Sequence, residues 1–128
     1  MAMHCLIVDD SAYFLQAARL LLEREGGVVV DIASTGADAI AHAEMRPPDV
    51  ILLDINLGAE SGFEVARQID RWTGTKVSNA ARPRIILIST HAEEDFSELV
   101  ADSPAVGFIS KAALSTGAIQ ELLSSAGG

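Results

Sequence analysis

Val50-Ile51-Leu52-Leu53-Asp54 is four apolar residues in a row closed by an acid. A strand with one wet face alternates, whereas one covered on both faces reads as an unbroken apolar run, as here. Just upstream, Thr35–Met45 has a helical pattern with Ile40 and Ala43 inward, and Pro47-Pro48 stops it. Downstream, Ser61–Trp72 carries Val65, Ile69 and Trp72 at i, i+4 and i+7 and opens on Ser61-x-x-Glu64, the pattern of a capping box.

The alternation continues in both directions. Met3–Val8 reads as a strand. Ser11–Glu25 reads as a helix with Phe14, Ala17, Ala18, Leu21 and Leu22 on one face, ended by Gly26-Gly27. Val28–Ile32 is β-branched and reads as a strand. Toward the C-terminus come a strand at Ile85–Ile88 and a short helix over about Asp95–Ala101 with Phe96, Leu99 and Val100. A strand at Val106–Ile109 and a helix at Ser115–Ser124, with Ile119, Leu122 and Leu123 inward, complete the chain. Five strands alternating with five helices predict an α/β fold with a parallel sheet covered on both faces, since parallel strands need crossovers. In such open sheets ligands sit at the carboxyl ends of the strands.

With 128 residues, 49% of them hydrophobic, residues 1–128 suffice for one domain with its own core. The single cysteine, Cys5, lies in an apolar run and is expected to be a small buried residue in a reducing, cytoplasmic setting. No apolar run approaches membrane-span length and no secretory signal is visible. A net charge of −9 argues against direct binding of nucleic acid. Five of the nine basic residues, Arg67, Arg71, Lys76, Arg82 and Arg84, lie in or near Thr73–Pro83, which reads as a loop at the amino end of a strand. A solvated insertion is the expectation there, with a docking patch for an acidic partner as the alternative.

The strand ends carry the chemistry. The first ends in Asp9-Asp10, the third in Asp54 followed by Asn56, the fourth in Ser89-Thr90 and the fifth in Ser110-Lys111. These side chains converge on one rim. Three carboxylates crowded together repel one another and call for a cation between them. Oxygen ligands with room for water and phosphate suit magnesium, and a neighbouring lysine can hold a phosphoryl oxygen as a point charge. Nucleophile, metal, ammonium and hydroxyl make a set for phosphoryl transfer onto a carboxylate. Asp54 stands alone at its strand end and is the expected nucleophile. The paired Asp9 and Asp10 suit cation binding, provided the chain is already leaving the strand there, since successive strand residues point opposite ways.

Taken in order, Leu6-Ile7-Val8-Asp9-Asp10-Ser11, Ile51-Leu52-Leu53-Asp54-Ile55-Asn56-Leu57, Gly62, Ile86-Leu87-Ile88-Ser89-Thr90 and Phe108-Ile109-Ser110-Lys111 resemble the response-regulator receiver family over nearly the whole chain. The resemblance implies a flavodoxin-like, doubly wound five-stranded parallel sheet of order 2-1-3-4-5 with five helices. It implies two-component phosphorelay signalling in the cytoplasm, with Asp54 phosphorylated by a histidine kinase or phosphotransfer protein. Asp9, Asp10, Asp54 and the backbone carbonyl of Asn56 would hold Mg2+, or Mn2+ in its place. Lys111 would contact the phosphoryl group, Ser89 would move to meet it, and Phe108 would hold the aromatic switch position. Phosphorylation would change the surface of the fourth helix, fifth strand and fifth helix, the expected contact for an output domain, a partner or a second copy in a homodimer. The chain would be no enzyme beyond catalysing its own phosphorylation and dephosphorylation, and would contact neither membrane nor nucleic acid. It would stand alone or form part of a longer regulator.

Two positions depart from the family pattern. Gly58 replaces the usual proline four residues after Asp54, and Ala112 replaces the proline after Lys111. The second departure, with Ser89-Thr90-His91, is similar to receivers of the LuxR type. Among rival readings, a phosphohydrolase of the haloacid dehalogenase type would need a second aspartate where Asn56 stands. A receiver fold working by protein contacts alone would not need the intact acidic set. No glycine-rich phosphate loop follows the first strand, which disfavours nucleotide binding. Asp10 or Ser11 could simply cap the first helix. His4, His42 and His91 show no ligand spacing; His42 is expected on a helix surface, and His91 at the rim.

Overall fold

The computed structural model describes residues 3–76, 83–90 and 96–127. Strand β1 (Met3–Val8) leads to helix α1 (Ala12–Glu25), then β2 (Val28–Ala33), α2 (Gly36–Met45) and β3 (Val50–Asp54). A two-residue pair, β4 (Asn56–Leu57) and β5 (Glu60–Ser61), precedes α3 (Gly62–Lys76). Then come β6 (Arg84–Ser89), α4 (Ser97–Asp102), β7 (Gly107–Ser110), a 3-10 turn (Lys111–Ala113) and α5 (Thr116–Gly127).

The long strands pair in parallel in the order β2-β1-β3-β6-β7. Counting long strands only, that is the expected 2-1-3-4-5. Side-chain alternation sends Leu6, Val8, Ile51, Leu53, Ile85 and Leu87 to one face, against Ala39 of α2, Val65 and Ile69 of α3 and Val100 of α4. Cys5, Ile7, Val50, Leu52, Ile86 and Ile88 go to the other, against Leu15, Ala18 and Leu22 of α1 and Ile119 of α5. Both faces of β3 are therefore dry, which is why its sequence does not alternate. Burial pushes the Cys5 thiol up to about 12, so this buried residue stays an inert thiol.

Three local expectations are corrected. The buried stripe of α1 is Leu15-Ala18-Leu22, with Ala17 exposed and Phe14 only half-buried. The expected face shared Ala18 and Leu22 with it, and an apolar neighbour at every turn made the two stripes hard to separate. Helix α3 runs on to Lys76 rather than stopping at Trp72. No proline lies between them, and a glycine such as Gly74 costs a helix only about 1 kcal/mol. The fourth helix, expected over about Asp95–Ala101, is Ser97–Asp102, with Leu99 exposed and Val100 buried. The rest of the expected basic loop, with Arg82, lies outside the described residues, as do His91 and Asp95. Of its basic neighbours, Arg67 and Arg71 pair with Glu64, and Arg84 donates to the Leu123 carbonyl. Among the described residues no helix is long and apolar enough to cross a membrane.

Candidate functional site

The order reverses between β1 and β3, and the crevice at that switch point opens at the carboxyl ends of the strands. Strand β1 ends at Val8, so the chain is leaving the sheet at Asp9 and Asp10. The Asp9 amide still donates to the Ala33 carbonyl at 3.1 Å, and its side chain is fully buried. Asp9 Oδ1 accepts from the Ser11 amide at 2.8 Å. Ser11 in turn caps α1, its hydroxyl accepting from the Phe14 amide at 3.2 Å. Capping thus belongs to Ser11, which leaves the exposed Asp10 free of that role. One carboxylate oxygen each from Asp9, Asp10 and Asp54 lies within 4.8 Å of the others.

Asp54 closes β3 and is 6% exposed. Its Oδ1 accepts from the Asn56 amide at 3.2 Å, and its Oδ2 from Lys111 Nζ at 3.2 Å. The chain then turns back on itself. Asn56 pairs with Ser61 and Leu57 with Glu60, around a turn in which Gly58 has φ +67°. Proline is locked near −65°, so the family's usual residue could not make this turn. Gly58 therefore gives the loop a different turn and gives up the stiffness of a proline. Gly62 is required by close approach: a Cβ there would lie 2.1 Å from the Asp54 carbonyl oxygen. Its amide donates to the Ile55 carbonyl at 2.8 Å.

Lys111 Nζ lies 2.6 Å from Asp9 Oδ2, as an ion pair without hydrogen-bond geometry, so that buried oxygen has no hydrogen bond. The ammonium also sits 4.3 Å from the centroid of the Phe14 ring. Burial works to lower the Lys111 pKa, but the close contact with Asp9 and the charge of Asp54 outweigh it and hold it above its ordinary value. Burial pushes the Asp54 carboxyl up; the Asn56 amide pulls it back, the Asp9 charge adds to the rise, and Lys111 opposes it. Asp9, Asp10, Asp54 and Lys111, with Asn56, Ser89 and Thr90, line one cleft of about 580 Å³. Ser89 is 2% exposed at the end of β6. Phe108 is the second residue of β7, two before that strand's carboxyl end, paired with Leu87, and is already buried at 8% exposure.

A family model, the response regulator receiver domain, matches residues 5–123. The chain belongs to this family. Response regulator UvrY of Escherichia coli (strain K12) is 33% identical to this receiver over 109 residues, 84% of this chain and 47% of that protein. The receiver therefore spans about half the length of that relative. Protein PilH of Pseudomonas aeruginosa is 34% identical over 89 residues, 70% of this chain and 69% of that one. Among solved structures, a LuxR-family two-component response regulator from Aurantimonas sp. SI85-9A1 superposes with a TM-score of 0.81 at 25% identity, over 98% of this chain and 87% of that one.

Of the seven residues given roles in the site, six line the cleft, while Phe108 packs in the core behind it. Thr90 joins the six, whereas Ser110, expected on the same rim, lines a separate cavity with Ala118 and Leu122 of α5. Phe14 and Glu60 were missed. Phe14 looked like core from its helical spacing, and nothing local in the sequence tells where the Glu60 carboxylate goes.

Proposed function

We propose that this receiver takes a phosphoryl group onto Asp54 from a phosphohistidine of a histidine kinase or phosphotransfer protein. The supporting observation is Asp54 itself, a buried carboxylate with Lys111 Nζ 3.2 Å away and two more carboxylates beside it. In the transfer the histidine N–P bond breaks, its electron pair stays on the imidazole, and an Asp54 O–P bond forms. Three crowded carboxylates sharing one lysine fit a divalent cation held by Asp9, Asp10, Asp54 and the Asn56 carbonyl, Mg2+ or Mn2+. When bound, that ion supplies positive charge to the oxygens of the transferring group. Lys111 gives up part of its contact with Asp9 to hold a phosphoryl oxygen, and the Ser89 hydroxyl donates to another. The same groups admit water for hydrolysis, so the receiver catalyses its own phosphorylation and dephosphorylation only. Residues 1–128 act as one receiver unit in the cytoplasm, alone or joined to an output domain.

The test is intact-mass measurement after acetyl phosphate and Mg2+. The parent should gain one phosphoryl group and Asp54→Asn none; undiminished labelling of the variant would sink the assignment. The signal would leave through the α4, β7 and α5 surface as Ser89 moves. That surface would meet the output domain or a second copy. Phe108 starts buried, so it re-packs within the core rather than swinging in from solvent. Hydrogen exchange with beryllofluoride, a phosphoryl mimic, should change protection across β6, α4, β7 and α5. A change confined to the Asp54 loop would refute this switch and leave the labelling chemistry standing.

A further inference from the structure

Helix α2 begins with two caps from different places. Its own Thr35 hydroxyl accepts from the Asp38 amide at 3.1 Å. The second cap comes from 24 residues away: Glu60 Oε1 accepts from the Gly36 amide at 3.0 Å. The fit is tight, since a Cβ on Gly36 would lie 2.8 Å from Glu60 Oε2. A carboxylate at a helix start meets both the unpaired amides and the positive end of the helix dipole.

Glu60 sits on β5, opposite Leu57 of β4, in the hairpin that follows Asp54. Each arm of that hairpin has its own anchor. Leu57 is buried in the core at 4% exposure, while Glu60 is outside the cleft and reaches across to α2. Asn56 lies one residue from Leu57, and its amide donates to Asp54 Oδ1 at 3.2 Å. We propose that Glu60 is a positioning residue: by tying the hairpin to the start of α2, it fixes the Asn56 backbone against Asp54 and the cation. The role rests on the site reading above. Because Gly58 replaces a stiff proline at the hairpin's turn, the tether supplies rigidity that the turn's sequence lacks.

The experiment compares the parent with Glu60→Ala and Glu60→Gln, reading Mn2+ binding by electron paramagnetic resonance and amide exchange in metal-free protein. Glu60→Ala should speed exchange at both Gly36 and Asn56 several-fold and weaken Mn2+ several-fold. Glu60→Gln keeps an oxygen acceptor and should restore both. Parent-like Mn2+ affinity and Asn56 exchange in Glu60→Ala would reduce Glu60 to a helix cap and overturn its role, leaving the site reading intact. A glutamine variant as weak as alanine would make the effect one of charge and also overturn the tether. A parent that neither binds Mn2+ nor labels with acetyl phosphate would overturn the site reading and this role together.

Discussion

Asp54 and Asp31 lie on the same sheet and each meets a basic side chain, yet their carboxyls are displaced in opposite directions. Asp31, on β2, is reached by His4 Nε2 at 2.6 Å and by Arg46 at 3.9 Å, with its side chain 29% exposed. Its hydrogen bond to His4 lowers its pKa; slight burial opposes this, and the charges of His4, Arg46 and His42 add to the lowering. Asp54 has Lys111 as close company, but it is buried and faces Asp9. Burial and a like charge outweigh one lysine shared between two acids. An outnumbered acid ends up satisfied; an acid crowded by acids keeps an unmet demand for positive charge. The first arrangement holds strands together, and the second suits a site that must receive a cation and a phosphoryl group.

The largest expected effect separates the two acids by their response to metal. With Mg2+ about a hundredfold above its dissociation constant, linkage predicts a rise in Tm on the order of 10 °C. His4→Ala should keep that rise and Asp10→Ala should lose it. Thermal melts with and without Mg2+ decide this, and a parent indifferent to Mg2+ would remove the contrast.

Acid titration sharpens the same comparison. The Asp54 carboxyl is raised in the folded state, so it favours folding most below its unfolded value of 3.8, and that contribution is lost as pH rises through its folded pKa. Asp31 is lowered, so its contribution is present above 3.8 and lost as pH falls through its folded pKa. Denaturant unfolding across the acid range should therefore show slopes of opposite sign removed by Asp54→Asn and by Asp31→Asn. Slopes of one sign for both variants would contradict the assignment of causes.

The smallest effect is on stability alone. His4→Ala should cost about 1 kcal/mol through the lost hydrogen bond to Asp31 and leave labelling of Asp54 unchanged. A loss of labelling in that variant would show that the two regions are coupled.

Local pattern determined much of this receiver. The unbroken apolar runs at Val50–Leu53 and Ile85–Ile88 announced dry strands, and each acid, hydroxyl or lysine that closes a strand announced the rim, because burial and strand direction leave their mark residue by residue. Which apolar stripe of α1 faces the sheet was not legible, since Phe14 and Leu15 are equally apolar and only packing chooses. The hairpin after Asp54 depends on a positive φ at Gly58 and on a bond from Glu60 to Gly36, 24 residues apart. Neither contact has a sequence period. The opposite fates of Asp54 and Asp31 likewise needed tertiary structure, because a pKa follows from burial and neighbours in space, and an aspartate's letter carries neither.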